Sequence, residues 1–242
     1  MTVRASTRIS IRWPPAAASE PTDTLVLSIG DYYVDLRVTK ADQSIDWALA
    51  GQRLVLSENP LKVKFTHPLD SHYVAGEEEG EPDIGEFTKL PNGDDLETGV
   101  MTAPHLGGKI MPYEEIWREL DPGVGQAGDG SDGKTSSWIL ESVDPSSDAE
   151  ATRLSKSYYA RGGKFFLALR QVNITSPPSI SVSAIRQDWD ADKSAWVTKY
   201  AIGNVDGLFS LGTGTDGAGD WKVGDEVKIG LEGERCIVRA LD

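Results

Sequence analysis

The sequence predicts an all-β protein, an antiparallel barrel or sandwich, because hydrophobic residues recur with a period of two along most of the chain. In TRISIRW, for example, Ile9, Ile11 and Trp13 alternate with polar residues. Similar runs of five to eight residues are YYVDLRV, LKVKF, FFLALRQV, ISVSAI and RCIVRAL. Gly, Asp, Asn and Pro separate these runs, as is typical of short strands joined by tight turns.

One segment, PYEEIWREL, has the pattern of a helix instead. Pro112 suits the first helical turn, and two glutamates follow it at the positive end of the helix dipole. Its apolar residues have the spacing i, i+3, i+4, i+7 and are Tyr113, Ile116, Trp117 and Leu120. Because two turns are too short to be stable alone, we expect this helix to pack Trp117 against the sheet and to close one end of a barrel.

The Gly-rich stretch DPGVGQAGDGSDGKTSS divides the chain into two similar halves. The expected organisation is a first domain at 1–122, a linker loop at 123–136 and a second domain at 137–242. Two stretches, VTKADQSIDWALAG and DWDADKSAWVTKYAIG, share the order strand, Asp-rich turn, Ser, Trp, strand. An internal duplication and ordinary hairpin convergence both explain this likeness.

The composition excludes several classes of function. The 242 residues include 24 Lys and Arg against 38 Asp and Glu, a net charge of −14. A surface this acidic repels phosphate backbones and anionic membranes, so neither nucleic acid nor membrane is an expected partner. The single cysteine, Cys236, rules out an intrachain disulfide and a thiolate metal cluster. No signal segment or apolar span is recognisable, which favours a cytoplasmic or nuclear protein.

The stretch PNGDDLETGV holds three carboxylates behind an Asn-Gly pair, the strongest short signal of a tight hairpin turn. On a strand that leaves this turn, Asp95 and Glu97 share one face and Asp94 faces the other way. The favoured interpretation is a solvated turn. The alternatives are a metal or acid/base site and a structural charge pair with Lys89 or Lys109.

Other patterns of catalysis are weak. The histidines His67, His72 and His105 lack the spacing of a zinc site, so we predict no metal site and no cofactor. No serine stands in a nucleophile elbow, and the Gly-rich stretches lack the context of a phosphate loop. The numerous aromatic residues are mostly core, but a closed barrel of about eight strands also has room for one small ligand.

Three stretches, in this order and at these separations, resemble a fungal protein family named for interaction with a yeast casein kinase I: SIDWALAG, DDLETG and PYEEIWRELDP. The chain resembles this family over its full length, continuing through RLSKSYYARGGKF. The resemblance implies two lipocalin-like antiparallel β-barrels packed together. One branch of the family resembles the hetero-Diels–Alder cyclases of fungal tropolone–sesquiterpenoid pathways.

Two function hypotheses follow. In the first, a barrel lumen binds a small apolar or aromatic metabolite and acts as a cofactor-independent pericyclase. On the basis of their positions in the predicted strands, the candidate polar catalytic groups are Lys64, His67, Tyr73, Tyr113 and Arg186. The candidate ligand-binding walls are Trp47, Phe65, Trp117 and Trp189.

In the second hypothesis the protein is a non-catalytic partner of a casein kinase I-type kinase. It contacts that kinase through the acidic loops 76–83 and 126–134, and its barrels are filled with side chains. The size of the lumen distinguishes the two hypotheses, because only a ligand site needs a cavity of a few hundred Å³. The oligomeric state is not predictable from these patterns.

Overall fold

A computed structural model describes residues 3–73, 82–103, 107–123, 137–143, 153–175, 178–212 and 220–242. In these ranges the chain forms strands and turns and contains no helix. The strands are β1 (Val3–Arg12), β2 (Thr22–Ile29), β3 (Tyr32–Thr39), β4 (Ile45–Glu58), β5 (Leu61–Phe65), β6 (Leu69–Asp70), β7 (Asp83–Lys89), β8 (Asp95–Ala103), β9 (Lys109–Leu120), β10 (Trp138–Ser142), β11 (Arg153–Gly162), β12 (Phe165–Thr175), β13 (Pro178–Asp190), β14 (Ala195–Ile202), β15 (Glu226–Ile229) and β16 (Glu234–Leu241). No helix in the described part of the chain is long and apolar enough to cross a membrane.

The first nine strands form an antiparallel sheet that closes on itself. The order is β3-β2-β1-β9-β8-β7-β5-β4-β6, and an additional pairing of β3 with β4 joins the two ends. Eight strands therefore make a closed barrel, and the two-residue β6 pairs with β4 beside it. Closure turns one face of every strand towards an interior space, so alternate residues face the lumen.

The remaining strands form a second antiparallel sheet of seven strands in the order β14-β13-β12-β11-β10-β16-β15. Long hairpins dominate it, and β12 pairs with β13 from Phe165↔Asp188 to Thr175↔Pro178. The prediction of an all-β chain is confirmed, and the first of the two expected antiparallel barrels is a closed eight-stranded barrel followed by a second antiparallel sheet. Among the described pairings, hydrogen bonds close only the first sheet.

Two clusters of buried hydrophobic residues pack against the sheets. One core is shared between them, and joins Val34 and Leu36 of the barrel to Leu167 and Leu169 of β12. The other lies on the opposite face of the second sheet and includes Phe166. Because β12 is buried on both faces, its sequence FFLALRQV is apolar at almost every position rather than alternating.

The predicted helix at PYEEIWREL is wrong. This segment lies within β9 and forms ladder hydrogen bonds with β1 on one side and β8 on the other. Its buried residues are Tyr113, Glu115 and Trp117, which have a period of two. In a helix that buries Tyr113, Ile116 and Trp117, Glu115 would face solvent, whereas in the strand Glu115 is buried. Two neighbouring strands supply the hydrogen-bond partners that a two-turn helix would lack.

The domain boundaries remain a prediction. The last strand of the barrel ends at Leu120 and the first strand of the second sheet begins at Trp138, but linker residues 124–136 lie outside the described ranges. The same applies to most of the acidic loop 76–83 and to His105. The two stretches that resemble each other occupy the β3–β4 and β13–β14 hairpins, which leaves the duplication a hypothesis.

Candidate functional site

The barrel encloses a cavity of about 300 Å³. Six aromatic side chains line it: Tyr33, Trp47, Phe65, Phe87, Tyr113 and Trp117. Ten charged residues also contribute to the lining, an unusual number for a lumen. The cavity is therefore neither a dry apolar core nor an open aqueous channel.

Strand alternation explains this mixture. On β3, Val34 and Leu36 point outward into the core shared with the second sheet, while Asp35 and Arg37 point into the lumen. Since the second sheet covers the outer face of this strand, polar residues can only face inward. The strand is therefore apolar outside and charged inside, the reverse of a strand whose second face meets water.

A buried ion network crosses the lumen. Glu115 accepts hydrogen bonds from Arg8 Nη1 at 2.5 Å and from Arg37 Nη1 at 3.3 Å. Arg37 also donates from Nε and Nη2 to Asp35 Oδ2, at 3.0 and 2.9 Å. Its guanidinium carbon lies 4.8 Å from the ring centroid of Trp47. Arg37 is thus held by carboxylates and by an aromatic face, an arrangement in which its desolvation is largely offset.

The second oxygen of Asp35, Oδ1, is buried and has no hydrogen-bond partner among the described residues. Burial raises the pKa of Asp35, against the opposing effect of Arg37. A buried acceptor without a donor is costly. Because Asp35 lines the cavity, this oxygen is an acceptor that a lumenal ligand could use.

Glu97 is the second unusual carboxylate. Its Oε1 accepts a hydrogen bond from the Tyr113 hydroxyl and its Oε2 accepts one from Trp117 Nε1, each at 2.8 Å. Burial, followed by the negative charge of Glu115, raises the pKa of Glu97 to about 8. The carboxyl is therefore largely protonated at neutral pH, and it forms a polar but uncharged part of the cavity wall.

His67 lies at the edge of this site. Its Nδ1 is 3.1 Å from Asp70 Oδ2, and its Nε2 is 3.0 Å from an oxygen of Asp83, a residue that lines the cavity. Burial lowers the pKa of His67, but the hydrogen bonds to the two aspartates outweigh it and raise the pKa to about 9. Trp47 Nε1 also donates to Asp70, at 2.8 Å. The protonated imidazole therefore connects two carboxylates beside the aromatic wall.

The structure brings together five of the nine residues that the sequence selected. Trp47, Phe65, Tyr113 and Trp117 line the cavity, and His67 contacts it through Asp83.

The other four lie elsewhere. Lys64 precedes Phe65 on β5 and therefore faces the opposite side of the strand, and Tyr73 is 46% exposed. Arg186 pairs with Asp23 and Asp188. Trp189 packs edge-on against Trp196 in the second sheet.

The acidic turn PNGDDLETGV matches no single one of the interpretations considered for it, because its carboxylates differ in their surroundings. Asp95 Oδ1 lies 3.0 Å from Lys89 Nζ, which confirms the charge pair with Lys89. Asp94 faces away from the lumen and accepts two hydrogen bonds from Arg118, at 2.9 and 2.8 Å. The solvated interpretation is wrong for Asp94 and Glu97, since both are buried. No group of three His, Cys, Asp or Glu in the described ranges could hold a metal ion.

Sequence reasoning missed the charged lining, above all Arg37, Arg53 and Glu115. The signal for this lining was the set of residues that alternate with the apolar ones along each strand. In YYVDLRV these are Tyr33, Asp35 and Arg37, which lie on one face. Charged residues on one face of a strand ordinarily face water. Only closure of the barrel makes this face a lumen.

The comparisons with known proteins agree with this architecture. The family model described as Protein HRI1 matches residues 4–233. The chain belongs to the HRI1 family. Membership of the family named for a casein kinase I interaction, which the three sequence stretches indicated, is thereby confirmed.

One solved structure with a similar fold is the crystal structure of the uncharacterized protein YLR301w from Saccharomyces cerevisiae. It shares 15% sequence identity with this chain, superposes with a TM-score of 0.71 and covers 100% of both chains. At this identity the likeness shows the fold alone. No curated protein sequence matches the chain significantly.

Proposed function

We propose that this HRI1-family protein binds a small planar organic molecule in the lumen of its closed barrel. The observation that carries the proposal is a cavity of about 300 Å³ with six aromatic side chains in its wall. Ligand pockets typically measure roughly 300–1,000 Å³ and combine aromatic walls with a few polar groups. A barrel that served only as a scaffold would fill this space with side chains.

The polar groups of the lumen support binding with a defined orientation. Arg37 and Glu115 are buried in their ion network, and the Asp35 Oδ1 acceptor has no partner among the described residues. Rings such as Trp47 and Phe65 would hold a flat ligand by stacking or edge contacts. Polar ligand atoms would then find fixed partners rather than mobile water.

The more specific hypothesis is a hetero-Diels–Alder cyclisation in this chamber. Such a reaction needs orientation of two reactants and a donor for the negative charge that develops on an oxygen. Tyr113 is one such donor on the cavity wall. However, a volume of about 300 Å³ lies at the lower end of the range for a single ligand. Binding is therefore the function that the geometry supports best, and cyclisation requires its own product assay.

A second candidate function rests on the family. The HRI1 family name implies an interaction with a kinase. We therefore infer a casein kinase I-type kinase as a candidate protein partner, independent of the lumen. Mixing the two purified proteins and following their co-elution on a sizing column tests this. A stable complex supports the second function, and separate elution of the two proteins at high micromolar concentrations contradicts it.

A lumen-filling variant tests ligand binding directly. Val26 lines the cavity, whereas Val55 is 53% exposed on β4. Val26→Phe and Val55→Phe are therefore chemically identical changes, one inside the lumen and one outside. After incubation with an organic extract of the source organism, native mass spectrometry should detect a retained small molecule on the wild type and on Val55→Phe. We expect Val26→Phe to retain much less.

The parallel measurement is quenching of tryptophan fluorescence, since Trp47 and Trp117 lie in the wall. A wild-type protein that stays free of small molecules and unquenched contradicts the proposal. Equal retention by Val26→Phe and by the wild type also contradicts it, because the ligand would then lie outside the lumen.

A further inference from the structure

Four cations line the cavity, and three of them face carboxylates. Lys89 lies 3.0 Å from Asp95, and Arg4 approaches the same aspartate at 3.5 Å. Arg37 lies 2.9 Å from Asp35. The positive charge of these three side chains is thus compensated within the lumen wall.

Arg53 is the fourth cation. Its side chain is half-buried, and its guanidinium carbon lies 6.0 Å from the ring centroid of Phe65. Within the described ranges it forms no ion pair with a carboxylate and no side-chain hydrogen bond. The contact with Phe65 is a weak attraction compared with the ion pairs of the other three cations.

An uncompensated guanidinium in such a position is unfavourable for the protein alone. Burial, followed by the positive charge of Arg4, lowers the pKa of Arg53, and the negative charges of Glu97 and Asp31, which form no ion pair with it, oppose this only in part. Removing a charge from water without a partner costs free energy. An anion that entered the lumen would supply the missing partner.

The surrounding chemistry selects the kind of anion. A guanidinium presents a planar fork of donors that matches the two oxygens of a carboxylate. The Phe65 ring beside it, and the tryptophans further along the wall, suit an aromatic or conjugated body. We propose that Arg53 binds the anionic oxygen group of the lumenal ligand, which is therefore a small aromatic carboxylate or an equally acidic oxygen compound. This inference rests on the lumenal binding proposed above.

The acidic residues of the lumen do not oppose such a ligand. Asp35 and Glu115 are compensated by arginines, and Asp95 lies between Arg4 and Lys89. Of the other acidic lining residues, Asp83 pairs with His67 and Glu119 lies 3.7 Å from Arg4. With a pKa of about 8, Glu97 is mostly uncharged at neutral pH. The local field at Arg53 is therefore more favourable to an anion than the net charge of −14 indicates.

Two isosteric probes, 2-naphthoate and 2-naphthamide, test the inference by calorimetry at pH 7. They differ in charge and share the aromatic body. We expect the wild type to bind the acid roughly ten- to hundred-fold more tightly than the amide, because a charge-assisted pair distinguishes them. Arg53→Gln should remove this preference and retain binding of the amide. Arg235→Gln is the matched control, since Arg235 is exposed and paired with Glu226 in the second sheet.

Arg53→Lys, which keeps the charge and loses the planar fork, should show an intermediate preference. If circular dichroism shows that Arg53→Gln does not fold, Arg53→Lys still tests the role of Arg53. The inference is overturned if the wild type shows no preference, or if Arg53→Gln or Arg53→Lys keeps the full preference.

Val26→Phe separates this failure from failure of the proposed function. If it blocks both probes while Arg53→Gln changes nothing, lumenal binding stands and the role of Arg53 is wrong. If the wild type binds neither probe, or if Val26→Phe binds both normally, both proposals fail for this class of ligand.

Discussion

Glu97 Oε1 accepts a hydrogen bond from the Tyr113 hydroxyl at 2.8 Å inside the barrel. The two residues lie on neighbouring strands, β8 and β9, where Glu97 pairs with Glu115 and Tyr113 pairs with Gly99. The contact joins the acidic turn stretch to the segment that resembled a helix. It also places a carboxyl of raised pKa in the cavity wall, which makes several predictions testable.

Glu97→Gln should change how stability depends on pH. The folded protein holds the Glu97 proton up to about pH 8, whereas an ordinary glutamate loses it near 4.5. The contribution of this group is therefore complete below about pH 4.5 and declines as the pH rises towards 8. Gln is uncharged like the protonated form; its carbonyl can accept from Trp117 Nε1, and its NH2 group can donate to the Tyr113 oxygen, which reverses the direction of that hydrogen bond. We expect wild type and variant to melt at similar temperatures at pH 5, and the variant to melt roughly several degrees higher at pH 9.

Melting curves followed by circular dichroism at pH 5, 7 and 9 provide the measurement. Glu226→Gln, at an exposed position paired with Arg235, is the control. A difference between wild type and Glu97→Gln that does not vary with pH would show that the carboxyl titrates normally.

His67→Gln should also become more stable relative to the wild type as the pH rises, but here the variant starts from a deficit at low pH. The folded-state pKa of His67 is raised to about 9, so the imidazolium pairs with Asp70 and Asp83. Its stabilising contribution is complete below the unfolded value near 6.5 and is lost as the pH rises through 9. We expect the variant to lose about 1–3 kcal/mol at pH 6 and much less at pH 10. Urea unfolding at both pH values measures this, and an equal loss at both would refute the ion pairing.

Gly85→Ala should destabilise the barrel because the added methyl group would clash with one neighbouring side chain, that of Glu97. A Cβ at position 85 would overlap the carboxyl group of Glu97, and the backbone there has no positive φ that would add strain. Overpacking of this kind costs about 1–3 kcal/mol. In a Glu97→Ala background the obstructing atoms are gone, so Gly85→Ala should cost far less. A double-mutant cycle from urea unfolding measures the difference, and an additive result contradicts the steric argument.

Trp47→Phe and Trp189→Phe should differ in their effect on ligand binding. Both tryptophans were candidate walls, but Trp47 lines the cavity and Trp189 packs against Trp196 in the second sheet. With 2-naphthoate as the probe, we expect Trp47→Phe to weaken binding and to reduce tryptophan quenching. Trp189→Phe should leave the affinity unchanged. A loss of affinity only in Trp189→Phe would move the site to the second sheet.

The β architecture could be predicted because strand patterns are local. Alternation in LKVKF and RCIVRAL is visible in five to eight residues, and Asn92-Gly93 marks the β7–β8 turn, where Gly93 has a φ of 90°. The error at PYEEIWREL has a physical cause. Over nine residues the periods of helix and strand overlap, and only pairing with β1 and β8 decides between them.

The candidate site was predictable in part for the same reason. Aromatic residues such as Trp47 and Phe65 are recognisable as wall material wherever a barrel closes. Arg53 and Glu97 were not, because a charged residue on a strand normally faces water. Their inward position follows from closure of the barrel, which turns one face of β4 and of β8 towards the lumen.

By itself, the sequence determined that this chain is all-β, that two sheets follow one another along it, and that it is a member of its family. These properties depend on short-range periodicity, turn residues and motif order. The tertiary structure alone decided that β3 pairs with β4 to close the barrel, and that closure makes a lumen of the charged faces. Burial, partners and pKa depend on residues distant in the chain. Glu115, for instance, binds Arg8 across 107 positions.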